Sequence, residues 1–460
     1  MSGAGLVSRG LNRVRELVAS ATHLGKAPDE SDLERLRTQL QECAEGRGGE
    51  VSTRQRAARL AETYLRLDDA GRHAFLRLIA HEFGPEPARV AAAHAAYQAA
   101  IGTPQQWDAE AELRGALRSR RLRILTQFNA IPQGVKFLVD LRADLLRLIA
   151  DDPLLKPLDR ELETRLSAWF DVGFLELQRI TWSSPAALLE KLVEYEAVHE
   201  IRSWKDLKNR LDSDRRCYAF FHPRMPLEPL IFVQVALLEE IADDVQRLLD
   251  IEAPLADAGR ATTAIFYSIS ATQKGLRGVS FGNFLLKRVI DDLKRDFPRL
   301  KTFATLSPMP GLVRWAQRDP EAFAEAFNAT DWKRLDALGI EGGDSPRLAA
   351  LLAGDPAWAA DEALAQAVRE PLLRLGARYL SEARRGDRPV DSVARFHLGN
   401  GARIERLNWL ADRSEKGLRH SWGLMVNYLY DPDSLEANLE NFAANGSIAA
   451  SSAVRRLARR

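Results

Sequence analysis

The chain has 460 residues, 46% of them hydrophobic, which is more than one ordinary core holds and suggests two or three domains. Its 65 Lys and Arg balance 64 Asp and Glu, so there is no broad basic face of the kind that holds nucleic acid or an anionic membrane. A small anionic ligand would need only a local basic pocket.

The first third reads as helices. Apolar residues recur at helical spacing at Ala57, Leu60 and Tyr64 and again at Phe75, Leu76, Ile79 and Phe83, with Gly84-Pro85, Gly102-Thr103-Pro104 and Ile131-Pro132 as breaks. A further helix is predicted over 138–151, then a linker over 154–157, which divides an all-α bundle over 1–160 from a second domain over 161–460. His23, His73, His81 and His94 lie inside these helices without partners at metal-ligand spacing. The bundle holds no cluster suited to chemistry, so its apolar stripes point to contacts between subunits and a homo-oligomer, a dimer or tetramer. From about residue 165 a helix over 185–198 and strands over 217–221, 230–237, 264–270 and 301–306 alternate. A helical stretch over 312–385 follows, then strands over 394–398, 403–409 and 424–430. Gly399-Asn400-Gly401 reads as a tight hairpin turn between two of them. The fold class is therefore α + α/β: a helical bundle followed by a mixed α/β domain with a helical insertion.

Cys43 and Cys217 lie far apart and at no metal-ligand spacing, so neither a disulfide framework nor a zinc site is expected, and a reducing compartment fits. No run approaches the roughly eighteen apolar residues that span a bilayer. The arginines at 9, 13 and 15 suit an amphipathic first helix better than a transit peptide, and the expected location is the cytoplasm.

The most informative stretch is 264–311. A strand-type run is followed by Arg277-Gly278-Val279-Ser280-Phe281-Gly282-Asn283, an apolar-periodic helix stopped by Pro298, and a second strand. Glycines ahead of a helix let backbone N–H groups crowd around an anion, and the helix dipole adds favourable potential there. The loop resembles the pyrophosphate loop of the GNAT acyltransferase superfamily, with Ser280 in place of the middle glycine. That resemblance implies a GNAT-like domain and an acyl-CoA ligand.

Two polar residues could reach the acyl end. Ser307 ends the strand after the loop helix, in Leu306-Ser307-Pro308-Met309-Pro310-Gly311, and His397 ends a later predicted strand, in Phe396-His397-Leu398-Gly399-Asn400. Each also has an ordinary reading, as a turn serine or a hydrogen-bonded strand histidine. Over these segments, over 174–182 and along nearly its whole length, the chain closely resembles the malonyl-CoA decarboxylase family. The resemblance implies that Ser307 and His397 are the catalytic pair and that residues 277–283 contact the CoA part of malonyl-CoA. It implies products of acetyl-CoA and carbon dioxide, with no metal and no organic cofactor. The thioester itself can hold the enolate charge, so the protein need supply only alignment, oxyanion donors such as the N–H groups of the 264–270 strand, and a proton. Histidine suits the last task, with an unperturbed pKa of about 6.5. Three other readings stay open: a thioesterase, although Ser307 lacks a G-x-S-x-G elbow; a GNAT acyltransferase; and a non-catalytic acyl-CoA-binding module.

Overall fold

The structure is a computed structural model that describes residues 30–46, 49–279, 284–340 and 345–459. The chain forms two compact units. The first comprises Met1–Leu175, His222–Pro226 and Gln273–Ser280; the second comprises Glu176–Phe221, Leu227–Thr272 and Phe281–Arg460.

The first unit is helical. Helices Glu50–Arg66, Asp69–Glu82, Arg121–Ala130, Gly134–Leu148 and Lys156–Trp169 turn Leu60, Tyr64, Phe75, Ile79, Phe128, Leu138, Leu145, Leu158 and Leu162 into one core, each at most 2% exposed. Apolar positions three and four apart share one side of a helix, so the sequence period becomes a buried stripe. Tyr64 lies 5.1 Å from Phe75 between ring centroids and 5.7 Å from Phe137. Residues 154–157 are not a linker. Asp152 accepts from Leu154 N at 3.2 Å and caps a short 3-10 turn, which runs straight into the Lys156–Trp169 helix with Pro157 in its first turn, where a missing N–H costs nothing.

The second unit is built on an open eight-stranded sheet. The strands are β1 (Glu176–Ile180), β2 (Arg215–Phe221), β3 (Ile231–Leu238), β4 (Thr263–Ala271), β5 (Thr302–Thr305), β6 (Ser307–Pro308), β9 (Arg403–Asn408) and β10 (Met425–Leu429), while β7 (Arg384–Arg385) and β8 (Arg388–Pro389) form a separate ribbon. The order runs β1-β2-β3-β4-β5-β10, with β6 and β9 also on β10. β2 is buried at all seven positions because both faces are covered. Cys217, Ala219 and Phe221 pack with Leu188, Leu189 and Leu192 of the Ala186–Tyr195 helix. On alternate positions, Tyr218 donates to Asp292 at 2.9 Å and Phe220 lies under Arg288, both from the Phe284–Asp296 helix. The predicted helical stretch 312–385 is a series of shorter helices ending in the twenty-residue Glu362–Ser381.

All pairings in the large sheet are antiparallel except β4 with β5, the two strands joined by the Phe284–Asp296 helix. This parallel pairing stops early. Its last register pair is Phe266↔Thr305, and Leu306 N donates to Phe266 O at 3.0 Å. Beyond that point β4 runs on to Ala271 along β3, with a bulge at Tyr267, while the chain after Leu306 pairs with β10 through Ser307↔Val426. β4 and the Ser307 segment part here.

Residues 394–398 are not a strand. They lie in a helix, Ser392–Leu398, whose N-cap Asp391 accepts from Ala394 N at 2.8 Å. Gly399-Asn400-Gly401 is therefore the turn that ends a helix rather than a hairpin, with Asn400 N and Ala402 N both on His397 O at 3.1 Å. Alternating Ala394, Phe396 and Leu398 imitates a strand; the aspartate three residues before Ala394 outweighs it by supplying an acceptor to the first helical turn.

Candidate active site

β5 leads into Ser307, and the Ser392–Leu398 helix carries His397 in its last turn; the second unit brings the two side chains together. Ser307 Oγ lies 3.2 Å from His397 Nε2, with the residues 6% and 2% exposed. Three neighbours fix this pair, and the sequence reading named none of them. Tyr430, just past β10, places its hydroxyl 2.7 Å from His397 Nδ1. Thr305 Oγ1 accepts the Ser307 hydroxyl at 2.8 Å and Tyr428 N at 3.1 Å. The Tyr428 ring stacks on the imidazole at 4.6 Å between centroids and 22° between planes. Thr305 and Ser307 are two apart on an extended run and so share a face. Nothing local marks Tyr428 or Tyr430, because β10 reaches His397 only through sheet pairing. Asn427 locks that pairing, donating to Thr305 O at 2.7 Å and to Ala242 O at 2.9 Å while accepting from Asn408 at 2.8 Å.

Counting donors fixes the directions of the relay. With Ser307 donating to Thr305, its oxygen is left to accept, so Nε2 carries the hydrogen and Nδ1 accepts from the Tyr430 hydroxyl. In this arrangement the imidazole does not draw the proton from Ser307. Burial alone pushes the His397 pKa down to about 3, far from the value of about 6.5 that the sequence suggests, and no charged group acts on the ring. Burial likewise holds the Tyr430 phenol well above its ordinary range. Both groups are neutral at pH 7.

Tyr430 also lines a cavity of about 270 Å³ between the Phe284–Asp296 and Leu435–Asn445 helices. Leu286, Ile290 and Leu435 give it apolar walls, while Lys287, which pairs with Glu436 at 3.6 Å, Lys294 and Asp291 give it a charged but balanced rim. Its chemistry suits a thin, mostly apolar chain.

Of the predicted loop, Arg277 and Gly278 are exposed, Gly278 at φ +87°, and Val279 is buried. Ser280, Phe281, Gly282 and Asn283 lie outside the described residues. The strand predicted as oxyanion donor is β4, which continues past the point where its pairing with β5 ends. Among the described residues no cluster of three or more His, Cys, Asp or Glu could hold a metal ion, and no helix is long and apolar enough to cross a membrane.

Fold and site together define a helical unit joined to an open mixed sheet, with a buried serine–histidine–tyrosine relay at the end of its parallel strand pair. Residues 173–460 match the family described as malonyl-CoA decarboxylase C-terminal domain, and residues 83–170 match malonyl-CoA decarboxylase N-terminal domain. The chain is similar to the mitochondrial malonyl-CoA decarboxylase of Anser anser anser, 37% identical over 417 residues, covering 87% of this chain and 82% of the relative. The Rattus norvegicus enzyme is 39% identical over 356 residues, covering 75% and 72%. Crystal structures of malonyl-CoA decarboxylases from Rhodopseudomonas palustris (TM-score 0.84, 42% identity) and Agrobacterium vitis (TM-score 0.80, 43% identity) each cover 92% of this chain and 99% of their own. This chain belongs to the malonyl-CoA decarboxylase family.

Proposed function

We propose that the chain converts malonyl-CoA to acetyl-CoA and carbon dioxide, with Ser307 and His397 at the reacting carboxylate and no cofactor. The observation that carries this reading is the direction of the relay. A serine whose hydroxyl donates to Thr305 and whose oxygen accepts from the imidazole has no base drawing its proton and is not set to attack a thioester; by turning its hydroxyl from Thr305 it can donate to the substrate carboxylate instead. The C2–carboxylate bond breaks, its electron pair passes into the thioester enolate, and carbon dioxide leaves. Backbone N–H groups near the bulge of β4 hold the enolate oxygen. His397, protonated beside the bound malonyl carboxylate, then gives that proton to C2, returns to neutral imidazole, and takes up another from solvent for the next turnover.

The low pKa of the free imidazole is consistent with that last role. The malonyl carboxylate would bring a negative charge beside His397, and an anion nearby raises the pKa of a buried imidazole toward the working range. The cavity beside Tyr430 suits the pantetheine arm, and the family resemblance assigns the CoA part of the substrate to residues 277–283.

The test is purified protein mixed with malonyl-CoA alone and followed by mass. Acetyl-CoA formed without an acceptor supports the reading. Free malonate and CoA would mean a hydrolase, and unchanged substrate would favour an acyltransferase or a binding module. The bacterial origin of the solved relatives supports a cytoplasmic location. For the helical unit we keep the assignment as an oligomerising element, which a monomer seen by light scattering at micromolar concentration would overturn.

A further inference from the structure

The helical unit contributes no residue to the relay, yet it holds the first half of the phosphate-loop motif. Residues 273–279 pass through a 3-10 turn, Lys274–Leu276, against the Gly134–Leu148 helix. The approach is backbone to backbone: a Cβ on Gly275 would fall 1.8 Å from Val139 O. Three residues along the same helix stands Arg142, 2% exposed. Its Nη1 donates to Gly275 O at 2.9 Å and to Arg277 O at 2.7 Å, its Nε to Asp159 at 2.9 Å, and its Nη2 lies 3.3 Å from Glu163.

Two carboxylates already face this one guanidinium, so Arg142 has no spare charge for a ligand. What it supplies is direction. In a trans peptide the C=O and the following N–H point to opposite sides. The bond from Arg142 to Arg277 O therefore turns Gly278 N–H away from Arg142. The neighbouring N–H groups of Leu276, Arg277 and Val279 are used inside the turn, on Gln273 O, Lys274 O and Leu276 O, while Gly278 N–H has no acceptor among the described residues. Gly278 is exposed, as are the side chains of Lys274 and Arg277, and neither cation pairs with a carboxylate among the described residues.

We propose that Arg142 is a positioning residue for substrate: its grip on the Arg277 carbonyl aims the Gly278 N–H, beside Lys274 and Arg277 in sequence, at a phosphate of the CoA moiety. The proposal rests on the reading that the chain acts on an acyl-CoA. It makes a residue of the helical unit a determinant of CoA affinity without contact to the ligand.

The experiment uses the full-length protein. Arg142→Lys keeps a charge, but a single ammonium cannot span both carbonyls and both carboxylates. KM for malonyl-CoA and Kd for free CoA should rise together by roughly ten-fold, the loss of one or two hydrogen bonds to a charged group, with kcat within about two-fold of the unaltered protein. A general structural defect would instead lower kcat. Because this variant can lose stability, hydrogen–deuterium exchange of the unaltered protein is the second measurement: CoA should slow exchange in the peptide covering residues 273–279. Unchanged KM and Kd in a folded Arg142→Lys protein, or exchange in that peptide indifferent to CoA, overturns the proposal. Failure of the unaltered protein to form acetyl-CoA would defeat the decarboxylase reading instead, and CoA protection of the peptide would still support the brace.

Discussion

At His397 the environment rather than the residue type sets the charge. With the pKa pushed down to about 3 by burial, the folded protein refuses a proton that the unfolded chain accepts below about 6.5. The unfolded state therefore binds more protons between these values, and stability falls as pH falls through this window, by up to about 1.4 kcal/mol per pH unit. Urea unfolding from pH 7 to pH 4 should show a flatter acid limb for His397→Asn than for the unaltered protein. On the proposed mechanism the sign reverses: the malonyl carboxylate of bound substrate favours the imidazolium, so the His397-dependent limb should lie at higher pH in kcat than in kcat/KM. His397→Asn should lose several orders of magnitude in kcat while CoA still binds, because asparagine is not a comparable acid. Ser307→Ala should also depress kcat. Intact-protein mass spectrometry during turnover should find no adduct, and a malonyl or acetyl mass on Ser307 would reject direct decarboxylation. Tyr430→Phe removes the donor to Nδ1 and frees the ring to change tautomer; kcat should drop roughly ten-fold, and Tm should fall as well because Nδ1 loses its buried partner.

The next scale is the strand–loop–helix run from β4 to β5, which needs support on two sides. Glu196, just past the Ala186–Tyr195 helix, holds β4 where it leaves β5. Its carboxylate accepts from Ser268 Oγ at 2.8 and 2.9 Å, from Gln234 at 2.6 Å, and from the N–H groups of Val198 and His199 at 2.8 and 3.0 Å. Glu196→Ala strands these donors and should cost about 2 kcal/mol, read as a lower urea midpoint, with a fall in kcat if β4 supplies the oxyanion donors. In the loop, the two described glycines differ. Gly278→Val forces a side chain to φ +87° and sets its Cβ 2.7 Å from Glu163 Oε1, a flexible end that can move, so the fold should survive while KM rises. Gly275→Ala meets the immovable Val139 carbonyl and should lower Tm as well. Equal Tm values for the two variants would contradict this distinction.

For the whole molecule, the proposed brace gives the helical unit a role beyond the assembly proposed for it. Sequence alone suggests that removing residues 1–157 would change assembly size more than the identity of the reaction. Val139 and Arg142 lie within that span and hold residues 273–279, so the truncation should also weaken CoA binding, measurable by calorimetry on whatever soluble protein remains. Full-strength CoA binding by the truncated chain would show that the loop keeps its shape unaided.

The helical first part, the mixed sheet of the second, and Ser307 and His397 as a candidate pair are all legible in the amino-acid order. Helical period, β-branched runs and the glycine loop are local signals, and the family resemblance singled out two residues ninety positions apart. Only tertiary structure decided the rest. It made residues 392–398 a helix, because the Asp391 cap outweighs an alternating pattern that a helix and a strand share. It brought Tyr428 and Tyr430 to the relay through β10 pairing, and it gave Arg142 the loop carbonyls across more than 130 residues of chain. It also set the His397 pKa, since desolvation depends on what surrounds the imidazole, and those neighbours come from strands and helices that no local stretch of sequence contains.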